Sequence, residues 1–166
     1  MRTAHANAVL VGAAGVLIRG APGSGKTTLT RRLVAAAGDA GFAAWVSDDR
    51  VALAVAHGRL VASAPPAIAG LAEMRGRGIV AVRHEAAAVI RLVVDLVAPG
   101  AAERMPQPAA LTTEILGVVL PRQPLPVDAG DPLGVVHAAL AAALAAVETS
   151  PAQTVFACAA DEAGQM

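Results

Sequence analysis

The clearest chemistry lies in eight consecutive residues, Gly20-Ala21-Pro22-Gly23-Ser24-Gly25-Lys26-Thr27, followed by Thr28. They fit the pattern G-x-x-x-x-G-K-[ST] at every fixed position. Glycines let the backbone turn so that successive N–H groups point into one concavity and grip anionic oxygens. From there Lys26 can reach the β- and γ-phosphates of a nucleotide, and the Thr27 hydroxyl can ligate Mg²⁺. A second set, Ser47-Asp48-Asp49, follows an apolar run. Acidic residues at the end of a buried strand are where phosphate-loop proteins place the groups that hold Mg²⁺ and direct a hydroxyl. If the strand continues, adjacent aspartates point to opposite faces, one toward metal and the other toward substrate. Glu73-Met74-Arg75-Gly76-Arg77-Gly78 is a weaker set, a charged glycine loop whose backbone can approach a ligand. By pattern alone His5 is a solvated residue near the terminus, and His57 is a turn residue.

These groups need elements to hold them. Val16-Leu17-Ile18 reads as a short buried strand running into the phosphate loop. Thr27 to Ala37 reads as a helix, with Leu29, Leu33 and Val34 on one face and Arg31 and Arg32 outside it. Phosphates would then sit at a helix N-terminus, where the dipole favours negative charge. Upstream, Val9-Leu10-Val11 and Gly12 give a short strand and turn. Downstream, Phe42 to Val46 is a second strand with Trp45 in the core. Val51–Val55 and Leu60–Val61 flank His57-Gly58 as a β-hairpin, so a mixed sheet is expected. Ile68 to Ala72 reads as a helical turn, 73–78 as a loop and Ile79–Val82 as a strand. Val89–Val97 and Leu116–Leu120 read as strands, the latter ended by Pro121. Glu103-Arg104 falls in a loop between Pro99 and Pro108. Asp131-Pro132 opens a last helix that runs to about Val147 and carries no charge from Leu133 onward.

The 166 residues suit one domain with a sizeable core. Aromatics are only 2%, so leucine, valine and isoleucine must build that core. The formal net charge is +0, which gives no electrostatic argument for nucleic acid or an anionic membrane. The single cysteine, Cys158, excludes a disulfide framework and a cysteine zinc site within one chain. No apolar run reaches spanning length without a charge or proline, and no secretory leader is visible. A cytoplasmic nucleotide-using protein is expected, with a catalytic domain over 1–149 and a loosely ordered tail over 150–166.

Taken in order, His5-Ala6-Asn7, Gly15-Val16-Leu17-Ile18 into the phosphate loop, Val46-Ser47-Asp48-Asp49, Glu73-Met74-Arg75-Gly76-Arg77-Gly78-Ile79, and Leu120-Pro121-Arg122 with Leu125-Pro126-Val127 form one pattern. Its order and spacing resemble the catalytic domain of bacterial HPr kinase/phosphorylase, over about residues 4–145. The Glu-x-Arg-Gly-x-Gly-Ile stretch looks like that family's own signature. The resemblance implies an α/β phosphate-loop domain with a mixed sheet, akin to the nucleotide domain of phosphoenolpyruvate carboxykinase. It implies an ATP- and Mg²⁺-dependent kinase for a serine of HPr, the phosphocarrier of the sugar phosphotransferase system, with a reverse reaction using inorganic phosphate.

By the same resemblance the loop from Gly20 to Thr28 holds nucleotide, His5 contacts phosphate, and Lys26 and Thr27 match the lysine and metal-binding hydroxyl. Asp48 and Asp49 match the pair that supplies the base and helps hold Mg²⁺, with Thr27, Asp49 and Glu73 as the metal set. Arg104 matches, most loosely, a loop arginine that contacts transferred phosphate. A homo-oligomer is implied, with no nucleic-acid or membrane partner. The chain departs from the family at Thr28, where an acidic residue is usual, at Pro22, where serine is common, and in its uncharged last helix. It looks like the short form of the family. Two other readings stay open: a kinase of this type for another protein or a small molecule, and a nucleotide-binding regulatory module without catalysis.

Overall fold

A strand with apolar side chains at successive positions suits burial on both faces. In the computed structural model, which describes residues 2–38 and 41–148, that strand is β3 (Ala14–Gly20). Val16 and Ile18 point to one face of the sheet and Leu17 to the other, and all three are fully buried. β3 pairs antiparallel with β2 (Asn7–Val11), and β2 pairs antiparallel with β4 (Ala43–Ser47). Its other neighbour is β9 (Ala87–Val97), which runs parallel to it. Along the far edge of β9, the first residues pair antiparallel with β6 (Arg59–Ser63) and the last run parallel to β11 (Val118–Pro126). The sheet continues from β6 through β5 (Arg50–Ala56) to β1 (Arg2–His5), and β10 (Thr112–Ile115) adds to β11. The result is the expected α/β plan, a nine-stranded mixed sheet.

Both helices, α1 (Lys26–Ala36) and α2 (Pro132–Glu148), pack on one face. There Leu29, Leu33, Val136 and Leu140 bury against Val16, Ile18, Leu92 and Val94. On the other face β5 and β6 contribute Val51, Leu53 and Leu60 to a cluster with Leu17, Ile90 and Val93. α2 begins as its sequence requires: Pro132 fills the first position, where no N–H is needed, and the Gly134 N–H donates to Asp131 Oδ1 at 2.9 Å. No helix among the described residues is long and apolar enough to cross a membrane. The tail expected over 150–166 lies outside the described residues.

Four local expectations are corrected. The amino-terminal stretch forms two strands, β1 and β2, so His5 is held by pairing with Arg50 and does not fray. The helical turn expected over 68–72 is a 3₁₀ turn at Pro66–Ile68, followed by β7 (Leu71–Met74). β7 pairs with β8 (Gly78–Ala81), so the expected charged loop at 73–78 is half strand and half tight turn. The strand expected over 116–120 begins later and runs past Pro121 to Pro126. Leu116 and Gly117 both have positive φ, 53° and 78°, and form the two-residue hairpin turn between β10 and β11. Pro124 and Pro126 survive because the side of β11 away from β9 is open beyond Pro121, the last residue paired with β10, so a missing N–H there breaks no ladder.

Candidate active site

The phosphate loop leaves the end of β3 and turns straight into α1. Gly25 is the N-cap of α1 in the left-handed region at φ 97°, a conformation that costs a side-chain-bearing residue but not glycine. No side chain caps the helix, and its first turn holds no acidic residue. The orphan N–H groups are therefore left to an incoming anion. Gly20 is fixed for a different reason: a Cβ there would lie 2.6 Å from Ser24 Oγ and 2.9 Å from Leu96 Cβ. Lys26 is buried and bends back, its Nζ donating to the Gly20 and Ala21 carbonyls at 3.0 and 3.1 Å. Ser24 Oγ is buried with no hydrogen-bond partner. Such an atom has a reason to exist where a bound phosphate would supply the missing acceptor.

β2 and β4 lie side by side, which brings Asn7 next to Asp48. Asn7 is fully buried. Its Nδ2 donates to Asp48 Oδ1 at 2.6 Å, and its Oδ1 accepts the Asp49 N–H at 3.1 Å. The same carboxylate oxygen accepts from the Thr27 hydroxyl at 2.9 Å, while Asp48 Oδ2 accepts the Glu73 N–H at 2.8 Å. Asp48 is thus buried among neutral donors and has no ion pair among the described residues.

Asp48 and Asp49 do not continue a strand, so the opposite-face expectation is corrected. β4 ends at Ser47 and β5 starts at Arg50. Asp49 sits at φ 57°, and the Arg50 N–H returns to the Asp48 carbonyl at 2.6 Å. The Ser47 hydroxyl clamps the turn by donating to the Arg50 carbonyl at 2.6 Å. This turn aims the exposed Asp49 at His5, with His5 Nδ1 to Asp49 Oδ1 at 3.0 Å. His5 Nε2 lies 3.1 Å from Lys26 Nζ. An ammonium has only donors, so Nε2 must accept and Nδ1 must carry the proton donated to Asp49. A line Lys26–His5–Asp49 results.

His5, Lys26, Thr27, Thr28, Asp48, Asp49, Glu73 and Arg75 all line one open cavity of about 380 Å³, with Pro22, Gly23 and Gly25. Arg31, read from sequence as an outward residue, also lines it. Arg104 does not: it is exposed and absent from the lining. Asn7 was quoted in the motif but given no role, because an asparagine in a short strand signals nothing until β4 is placed beside it. The set fits Mg²⁺ chemically, with hydroxyl and carboxylate oxygens at one corner, Thr27 and Asp48. No three His, Cys, Asp or Glu side chains among the described residues close on a ready metal cage. A phosphate-loop Mg²⁺ takes few protein oxygens and completes its shell from phosphate and water.

Beneath the loop, Asp95 on β9 bridges Arg19 on β3 and Arg122 on β11. Arg19 donates from Nε and Nη2 at 2.7 and 2.8 Å, and Arg122 from Nε at 2.5 Å. Burial pushes the Asp95 carboxyl up, but the hydrogen bonds and charges of Arg19 and Arg122 outweigh it and hold it below the usual carboxylate value.

Fold and site together define a phosphate-loop domain of the kinase type. The chain belongs to the family described as HPr Serine kinase C-terminal domain, which it matches over residues 1–157. Among solved structures, the Hpr(Ser) kinase/phosphatase from Coxiella burnetii is similar at TM-score 0.70 and 25% identity, covering 89% of this chain and 99% of that one. No curated protein matches. The resemblance drawn from the sequence motifs is borne out at the level of the family.

Proposed function

We propose that this chain is an ATP- and Mg²⁺-dependent kinase that phosphorylates a serine of an HPr-type phosphocarrier. The observation that carries the reading is the shared cavity, in which the phosphate loop, the Thr27–Asp48 corner and the Lys26–His5–Asp49 line meet. When bound, Mg²⁺ would supply positive charge that neutralises the charge developing on the transferred phosphate. Thr27 and Asp48 would hold it, directly or through its water. Glu73, whose N–H is already on Asp48, borders the same corner. The α1 N-terminus and the loop amides hold the phosphates. Lys26 exchanges its contacts with the loop carbonyls for phosphate oxygens. Asp49 is exposed, oriented by His5, and accepts the serine proton; a positioned base contributes roughly 10²–10⁴-fold. Positioning and charge neutralisation supply the rest.

The test is transfer from γ-labelled ATP to purified HPr with Mg²⁺, wild type beside Lys26→Ala, followed by inorganic phosphate. Label on a serine that depends on Lys26 supports the reading. Its removal by phosphate, with pyrophosphate formed, adds the reverse reaction. Tight ATP binding with no label on HPr overturns the HPr assignment and moves it to another acceptor or to a regulatory module.

A further inference from the structure

β3, β9 and β11 end side by side, and two loops leave them. One is the phosphate loop after Gly20. The other is the segment 98–107 after β9, which carries Glu103 and Arg104. Arg122 grips both ends of that second segment. Its Nε holds Asp95, just before the segment, and its Nη1 donates to the Ala110 carbonyl, just after it, at 2.9 Å. Ala110 lies in the 3₁₀ turn Pro108–Leu111 that closes the loop. Asp95 in turn holds Arg19, which precedes Gly20, and Leu96 packs against Gly20 with no room for a Cβ. Neither Arg122 nor Asp95 lines the active cavity.

We propose that Arg122 is a positioning residue for phosphoryl transfer: by tying Asp95 to the Ala110 carbonyl it sets the segment 98–107, with Arg104, against the strand end that launches the phosphate loop. The transfer step rests on the kinase reading above; the tether rests on geometry. A guanidinium fork spans two acceptors at fixed angles, whereas a lysine ammonium is a single point on a flexible stem. Arg122→Lys therefore keeps the charge beside Asp95 but releases Ala110.

The experiment compares wild type, Arg122→Lys, Arg122→Leu and Asp95→Asn well below their melting temperatures, by hydrogen exchange and by steady-state transfer. In Arg122→Lys the amides of 98–111 exchange about tenfold faster, the loss of one charge-assisted bond, and in Arg122→Leu, which loses two, at least as much faster, while β1, β5 and β6 are unchanged in both. In both, kcat falls about tenfold and the KM for ATP stays within about twofold. Asp95→Asn, which also frees Arg19, raises that KM as well. Unchanged exchange over 98–111 overturns the tether. Unchanged kcat, or kcat and KM moving together with a uniform loss of protection, overturns the positioning role in favour of a plain structural ion pair. If wild type transfers no phosphate, the kinase reading fails, and the exchange pattern still decides the tether.

Discussion

Two carboxylates sit at strand ends under the same loop, and they are treated in opposite ways. Asp95 is met by two arginines and its charge is balanced within the fold. Asp48 is more deeply buried and is met only by an amide, a hydroxyl and a backbone N–H. Neutral donors stabilise an ionised carboxylate without cancelling its charge. Asp48 therefore has no cation beside it among the described residues and leaves room for one, while Asp95 is already paired within the fold. The difference separates the candidate site from its support, although one aspartate lies near the end of a strand and the other just after one.

The largest effect that can break this contrast is on catalysis. Asp48→Asn is expected to lower transfer roughly 100-fold, measured as kcat/KM with HPr, and to raise the Mg²⁺ concentration that half-maximal transfer needs. Its melting temperature should move little, because a buried carboxyl with no cation beside it is replaced by an amide of the same shape that keeps part of the hydrogen bonding. Asp95→Asn should lose more stability and less activity than Asp48→Asn, its kcat falling only about tenfold with a raised KM for ATP. Leaving two arginines short of a partner costs about 3 kcal/mol, read as a melting temperature lower by roughly 6–12 °C. If Asp48→Asn proves the less stable variant and Asp95→Asn the less active one, the contrast is wrong.

A smaller effect follows from pH. The folded-state value of Asp95 is depressed, so its stabilisation is present above the ordinary aspartate value of roughly 3.9 and is lost as pH falls through the folded value. The melting-temperature gap between wild type and Asp95→Asn should stay constant near neutrality and close below about pH 4. A gap that persists in acid would show that the arginines stabilise by packing alone. Asn7→Ala leaves Asp48 Oδ1 and the Asp49 N–H each short of a partner, at about 1–3 kcal/mol in chemical denaturation. The smallest expected change is His5→Gln. An amide can accept from Lys26 and donate to Asp49, so activity should fall by about tenfold or less, and His5→Ala should fall further.

The phosphate loop was legible in the sequence because its requirements are local: glycines where the backbone must bend, a lysine and a hydroxyl at fixed offsets. The helix after it and the buried strand before it were legible for the same reason. β7 was not, since a four-residue strand running into a glycine-rich turn shows too little alternation to outweigh a loop signal, whereas its partner β8 was read one residue late as Ile79–Val82. The reach of β11 was hidden by its prolines, which ordinarily argue against a strand; Pro124 and Pro126 are tolerated here by an open edge. Asn7 and Arg122 have no local signature at all. Asn7 acquires its partners only when β2 and β4 pair, and Arg122 only when β9 and β11 do. The acidic pair was found, but which aspartate faces Thr27 depends on a turn that pattern could not choose.

The pairing of β3 with β9 carries a consequence for the birth of the protein. Arg19 and Asp95 are 76 residues apart in the chain. Non-local contacts of this kind are closed late in folding. At ordinary synthesis rates roughly 4–15 s separate translation of the phosphate loop from that of its supporting strand. During that interval the loop is written but has no floor, and the proposed nucleotide would meet no formed site. Ribosome-bound chains halted before β9 should fail to retain labelled ATP, and chains halted after α2 has emerged should retain it. ATP would then act on the finished molecule as a stabiliser and never as a template for its folding.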